Sequence, residues 1–153
     1  MKVNLGCGDD VLAGYVNMDA RPVGDIVGDV TKLPWADSSV DEMRAMDILE
    51  HFPVTRSALI LQEWRRVLSV GAVLTLRVPN MQSLGDLISH DDGRCELYIR
   101  NVYGGHRWGE DGSFDAHHTG WTPRLLDLLL QRCGFEVHHN DCALNMTLTA
   151  VAI

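Results

Sequence analysis

The chain has 153 residues, of which 46% are hydrophobic and 22% charged, and carries 13 Lys+Arg against 21 Asp+Glu for a formal charge of −8. A chain of that length suits one domain that buries roughly 70% of its unfolded surface without a disulfide or metal staple, and its composition excludes disorder and low complexity. The acidic balance argues against nucleic acid or an anionic membrane as the main partner.

No apolar run approaches the ~18–20 residues needed to span a bilayer, and the opening Met1–Gly6 lacks the apolar core of a secretory signal. Cys7, Cys95, Cys133 and Cys142 are scattered, with no C-x-x-C pair and no zinc spacing. They read as reduced thiols, and the expected location is cytoplasmic.

Strand and helix signals alternate along the chain. Lys2–Leu5 is a short apolar strand running into Gly6-Cys7-Gly8, and Tyr15–Met18 and Asp25–Val27 are similar runs, each followed by an aspartate. Val40–Ala45 is a fourth. Thr55–Leu68 repeats Ile60, Leu61, Trp64, Val67 and Leu68 at helical spacing, with Gly71 expected as its stop. Gly71–Val78 is the clearest strand, ended by Pro79. A short helix is expected over Ser83–Ser89. Thr122-Pro123 opens a leucine helix that ends at Gly134. Phe135–His139 and Asn145–Ala152 follow as strands with no helix between them, which predicts an antiparallel pair. The expected fold is α/β: a mostly parallel seven-stranded sheet with an antiparallel last strand, in one domain over residues 1–153. Residues 90–121 are rich in glycine, Asp, His and aromatics. They read as a long structureless loop that serves as a substrate or lid region.

Ligands of parallel α/β sheets sit beyond the carboxyl ends of the strands. There the first strand gives Leu5-Gly6-Cys7-Gly8-Asp9-Asp10, the second Asn17-Met18-Asp19 and the third Gly28-Asp29-Val30. Glycine lets backbone approach a ligand closely. Val11 stands where a dinucleotide fingerprint needs its third glycine, and Asp9 and Asp10 would repel a diphosphate, so a cationic ligand suits the loop better than a nicotinamide cofactor.

The order Leu-Gly-Cys-Gly, Asn-Met-Asp, Gly-Asp-Val, Leu33-Pro34-Trp35, Val40-Asp41-Glu42 and Leu49-Glu50-His51 resembles the class I S-adenosylmethionine-dependent methyltransferases. Arg66–Ala72 resembles that family's turn before the fifth strand. Tyr103-Gly104-Gly105, His117-His118-Thr119-Gly120-Trp121 and Gly134-Phe135 look like a short bacterial subgroup, similar to the type 11 methyltransferases, that is associated with polysaccharide and glycoconjugate genes. The resemblance implies a Rossmann-like fold, S-adenosyl-L-methionine as cofactor and a transferase activity (EC 2.1.1.-). The cofactor would be held by Leu5, Gly6, Cys7, Gly8, Asp19, Asp29, Val30 and Met46. Asp19 would take the ribose hydroxyls, Asp29 and Val30 the adenine, and Leu33, Pro34 and Trp35 would pack around that ring. Met46 and Asp47 would line the methyl-transfer side.

Asn4 stands where the family often has an acidic residue, and the ten residues between Gly8 and Asp19 are too few for a full helix. The first strand begins at once, so N-terminal cover helices are not expected, and the site is expected to be open, or closed by residues 90–121 or by a second subunit, either another copy or a partner. The expected activity is O-methylation of a small-molecule or sugar-containing acceptor, with His117 as base and Asp47 and His51 as further catalytic candidates; His106 and His118 rank lower. The alternative is a catalytically silent methyltransferase-fold subunit that supports a partner. No metal is expected, since the nearest ligand set, Asp111, Asp115, His117 and His118, matches no known spacing. His138 and His139 are expected to be solvated on an edge strand.

Overall fold

The computed structural model describes residues 1–90, 93–105 and 115–153, without the side chains of Cys95, His139 and Asn140. His106 and Asp111 lie outside the described residues. Seven strands form one sheet: β1 (Lys2–Leu5), β2 (Val16–Asp19), β3 (Ile26–Val27), β4 (Val40–Met46), β5 (Leu68–Pro79), β6 (Phe135–Cys142) and β7 (Asn145–Ala152). Their order is β3-β2-β1-β4-β5-β7-β6. β1 to β5 pair in parallel, and β7 runs antiparallel between β5 and β6. The expected sheet and its antiparallel last strand are borne out.

Helices α1 (Val54–Val67), α2 (Met81–His90), α3 (Cys95–Tyr103) and α4 (Pro123–Arg132) all follow β4 in the chain. The apolar stripe predicted for α1 is its buried face: Ile60, Leu61, Trp64 and Val67 are at most 2% exposed. Burying an indole the size of Trp64 contributes about 4–6 kcal/mol before entropy is counted, and its Nε1–H donates to the Val30 carbonyl at 2.9 Å. On α4, Thr122 caps the helix by accepting from Leu125 N–H at 3.3 Å, and Pro123 stands at the first turn. Leu126 and Leu130 of that helix are fully buried, while Leu125 and Leu128 face out.

Two expectations are corrected. Residues 90–121 are not one structureless loop, because Cys95–Tyr103 is helical; the glycine richness falls mainly after that helix, and Gly104 breaks it at φ +91°. Gly71 is not the stop of α1. That helix passes straight into β5 at Leu68, and Gly71 lies inside the strand at φ +82°.

No helix joins β1 to β2, β2 to β3 or β3 to β4. A buried amide network stands in their place. Asn17 Oδ1 accepts from Asn4 Nδ2 at 3.1 Å and from Leu12 N–H at 2.8 Å. Its Nδ2 donates to the Leu12 and Tyr15 carbonyls and to Asp25 Oδ2. Asn4 also donates to the Asp10 carbonyl at 2.8 Å. Side-chain amides thus satisfy the turn backbone that a helix would have satisfied internally.

Candidate functional site

The register aligns the carboxyl ends of the parallel strands, with Leu5 opposite both Met18 and Ala45. The strand order reverses direction at β1, and a crevice opens there, as expected at a topological switch point. A cavity of about 570 Å³ fills it, lined by Gly6, Gly8, Asp19, Arg21, Val30 and Ile48 among others, a volume suited to a small organic ligand. A second cavity of about 410 Å³ adjoins it, and His51 and Asp115 line both.

Gly6 and Gly8 adopt φ +56° and +52°, the left-handed region that favours glycine. A Cβ on Gly6 would stand 1.8 Å from Ile48 Cδ1, so a side chain there would need a strained backbone and a displaced Ile48. Gly8 N–H donates to Asp19 Oδ2 at 2.8 Å, and Asp19 Oδ1 accepts from the Arg21 backbone N–H at 2.9 Å and from its Nε at 3.2 Å. Asp19 is therefore fixed at the end of β2 with lone pairs left to accept from a ligand. Gly28 N–H donates to the Asp19 carbonyl, and the exposed Asp29 accepts from Thr31 N–H at 2.8 Å. Val30, Asp29 and Gly28 line the cavity beside Val27.

Leu5 is fully buried and Cys7 5% exposed. Leu5 ends β1 and Cys7 lies within the loop with its side chain turned inward, and burial raises the Cys7 thiol pKa. Met46 ends β4 and is not among the lining residues named for either cavity, whereas Ile48, two residues on, lines the first. Asn4 is committed to the amide network.

The second cavity is assembled from distant segments. Leu49–His51 form a short 3₁₀ turn after β4. His118 and Thr119 donate their N–H groups to the Glu50 carbonyl at 2.8 and 3.1 Å, and Thr119 Oγ1 donates to the Phe52 carbonyl at 2.7 Å. This stitching brings His117 against His51, ring centroids 5.0 Å apart and edge-on. His51 Nδ1 lies 3.1 Å from the Ala116 carbonyl and His117 Nδ1 3.0 Å from the Asn101 carbonyl on α3. A carbonyl only accepts, so each Nδ1 carries the proton and each Nε2 keeps its lone pair. Burial lowers both imidazole pKa values, and the neighbouring His51 lowers that of His117 further. Burial thus favours the uncharged form of each ring.

Asp47, at φ +56°, receives the Arg77 guanidinium through two nitrogens, with Nε to Oδ1 at 2.9 Å. It lines the second cavity as half of an ion pair. His118 is exposed, and His138 is exposed beside Glu136. The sequence reading passed over Glu50, which is 0% exposed, lines the second cavity and has no hydrogen-bond partner for either carboxylate oxygen among the described residues. Burial drives its carboxyl pKa well above the usual range, with Asp47 adding to the shift. The position in the Leu49-Glu50-His51 motif was the only signal available for it.

Strand order, glycine loop and acidic strand ends together define the class I S-adenosylmethionine-dependent methyltransferase fold, and the resemblance seen in the sequence is borne out. Residues 8–76 match the family described as "Methyltransferase domain". Among solved structures the chain is similar to a SAM-dependent methyltransferase from Methanosarcina mazei (20% identity, TM-score 0.66, 99% of this chain and 92% of that one). It is similar also to a SAM-dependent methyltransferase from Archaeoglobus fulgidus (13%, 0.68, 98% and 85%). A third likeness is to a chain of the Haloferax volcanii complex between the Trm112 methyltransferase activator and a methyltransferase (17%, 0.64, 99% and 81%). At these identities the likeness concerns the fold. No curated protein matches the sequence. No helix among the described residues is long and apolar enough to cross a membrane.

Proposed function

We propose that the chain transfers a methyl group from S-adenosylmethionine to an oxygen of a small-molecule or sugar-containing acceptor. One observation carries this reading: a glycine-lined cavity with Asp19 fixed on its wall shares His51 and Asp115 with a second cavity lined by the His51 and His117 imidazoles. When bound, the cofactor supplies an electrophilic methyl on a positively charged sulfur. Gly6 and Gly8 admit its methionyl end to the backbone, Asp19 accepts from the ribose hydroxyls, and Asp29 and Val30 face the adenine. Acidic groups along this rim favour a cationic ligand, and Ile48, Phe52 and Val27 give the cavity an apolar wall.

The acceptor enters the second cavity. His117 Nε2 takes the proton of its hydroxyl as oxygen attacks, help worth about 10²–10⁴-fold, with His51 packed edge-on against it and Asp47 held by Arg77 at the rim. The segment 115–117 forms the acceptor wall.

The test uses labelled methyl donor with pools of alcohols and glycosides. Transfer to an alkali-stable ether is expected, and His117→Ala should lower turnover at least about tenfold while cofactor affinity moves less than about threefold. Intact turnover in that variant would reject His117 as base. A second reading, a catalytically silent subunit, is favoured by the exposed Leu97, Ile99 and Tyr103 of α3 and by the neighbour solved with an activator. Such a subunit gives no transfer with any acceptor pool alone, and gains or confers activity only with its partner.

A further inference from the structure

We propose that Glu50, His51 and His117 form a binding site for a divalent transition-metal ion of the zinc class, at the inner wall of the acceptor cavity. One donor atom from each of the three lies within 4.8 Å of the others. Donors on a tetrahedral ion with bonds of ~2.0–2.2 Å stand about 3.3 Å apart, so small side-chain rotations close the cluster.

Three independent features point to a ligand here. Both histidines donate Nδ1–H to backbone carbonyls, Ala116 and Asn101, which is the outer-shell arrangement that orients a metal-ligating imidazole and leaves Nε2 for the ion. Glu50 is 0% exposed, and neither of its oxygens has a partner among the described residues. A buried carboxylate needs a cation or a full set of donors. The nearby Arg77 does not fill that role, because its guanidinium is turned to Asp47. Finally, two histidines and one carboxylate with an open side are a donor set that suits zinc and its neighbours while leaving a position for an exogenous oxygen, and the second cavity supplies that side.

This inference rests on the acceptor cavity described above but not on the base role of His117. In the metal form Glu50, His51 and His117 would hold the ion, which would act as a Lewis acid that eases loss of the proton from an acceptor hydroxyl. In the metal-free form the imidazole takes that proton itself.

The test strips the full chain with chelator, then titrates it with Co²⁺ and displaces it with Zn²⁺, reading metal per chain and the visible cobalt bands. One ion per chain is expected. Glu50→Gln and His117→Ala should each weaken Zn²⁺ binding by at least about 100-fold, the upper end of what losing an outer-shell partner costs, while the exposed His138→Ala leaves it unchanged. Less than one-tenth equivalent bound by the wild type, or wild-type affinity retained in both ligand variants, overturns the site. His117→Ala keeps the test decisive if Glu50→Gln does not fold. S-adenosylmethionine heats on the same samples separate the two readings: a chain that binds cofactor but no metal loses only this site, and a chain that binds metal but no cofactor loses the methyltransferase reading.

Discussion

The two halves of the rim are built by different means. The half proposed to hold the cofactor, from β1 to β3, has no helix in its connections, and its turns are held by Asn4, Asn17, Asp25 and Asp19 bonding directly to backbone. The half proposed to take the acceptor, from β4 onward, rests on apolar helix packing through Trp64, Leu126 and Leu130, and on a strap from Ala116 to Thr119 tied to the Glu50 turn. A polar scaffold fixes the loop positions closely but fails steeply when one amide is lost. An apolar scaffold tolerates exchange and leaves the strap as the adjustable part.

That contrast predicts its largest effect at Asn17. Asn17→Leu keeps the volume but orphans the Leu12 and Tyr15 backbone groups and Asp25, and should cost about 3–5 kcal/mol in chemical denaturation. A loss under 1 kcal/mol would mean that water replaces the network. Next is Gly6→Ala, which forces a Cβ against Ile48 at an unfavourable φ. Cofactor affinity should fall at least about 100-fold, roughly 2.7 kcal/mol, with the helical half still folded by circular dichroism. Asp19→Asn keeps the shape and loses the charged acceptor, so calorimetry should show cofactor binding weakened about 10–100-fold.

The smallest effect is expected where the halves join. Glu63 on α1 accepts from Leu33 N–H at 2.8 Å and pairs with Arg66, whose hydrogen bonds hold the Glu63 carboxyl pKa below its usual value. A depressed carboxylate stabilises the fold above its unfolded pKa of about 4.3 and stops doing so as pH falls through the lower folded value. Glu63→Gln should therefore cost no more than about 1 kcal/mol at pH 7, since the pair is partly solvated. The difference between wild type and variant should shrink as pH falls from the unfolded value toward the lower folded one. A difference that does not change with pH would assign the effect to shape instead of charge.

Legibility in the sequence follows the same division. The glycine loop and the strand-end aspartates lie within residues 5–30 and stand in chain order, so pattern and position single them out. Asn17 appeared there only as part of a motif, because its partners are backbone groups that no side-chain pattern announces. The acceptor half depends on long-range closure. His117 meets His51 across 66 positions of sequence through carbonyl and amide bonds of Glu50, Ala116 and Asn101, and backbone bonds leave no mark on residue type. Glu50 was hidden for the same reason, since a glutamate after a strand ordinarily reads as solvated. Helix α3 was missed because the glycine-rich composition of the segment outweighed the short Cys95–Tyr103 run.

Calorimetric titration of the purified chain with S-adenosylmethionine, beside Gly6→Ala and with its demethylated thioether product as competitor, tests the central claim most directly. The expected result is one molecule bound per chain, displaced by the product and lost in the variant. Absence of heat in the wild type, or an unchanged isotherm for Gly6→Ala, would contradict the assignment of this rim to the sulfonium nucleoside.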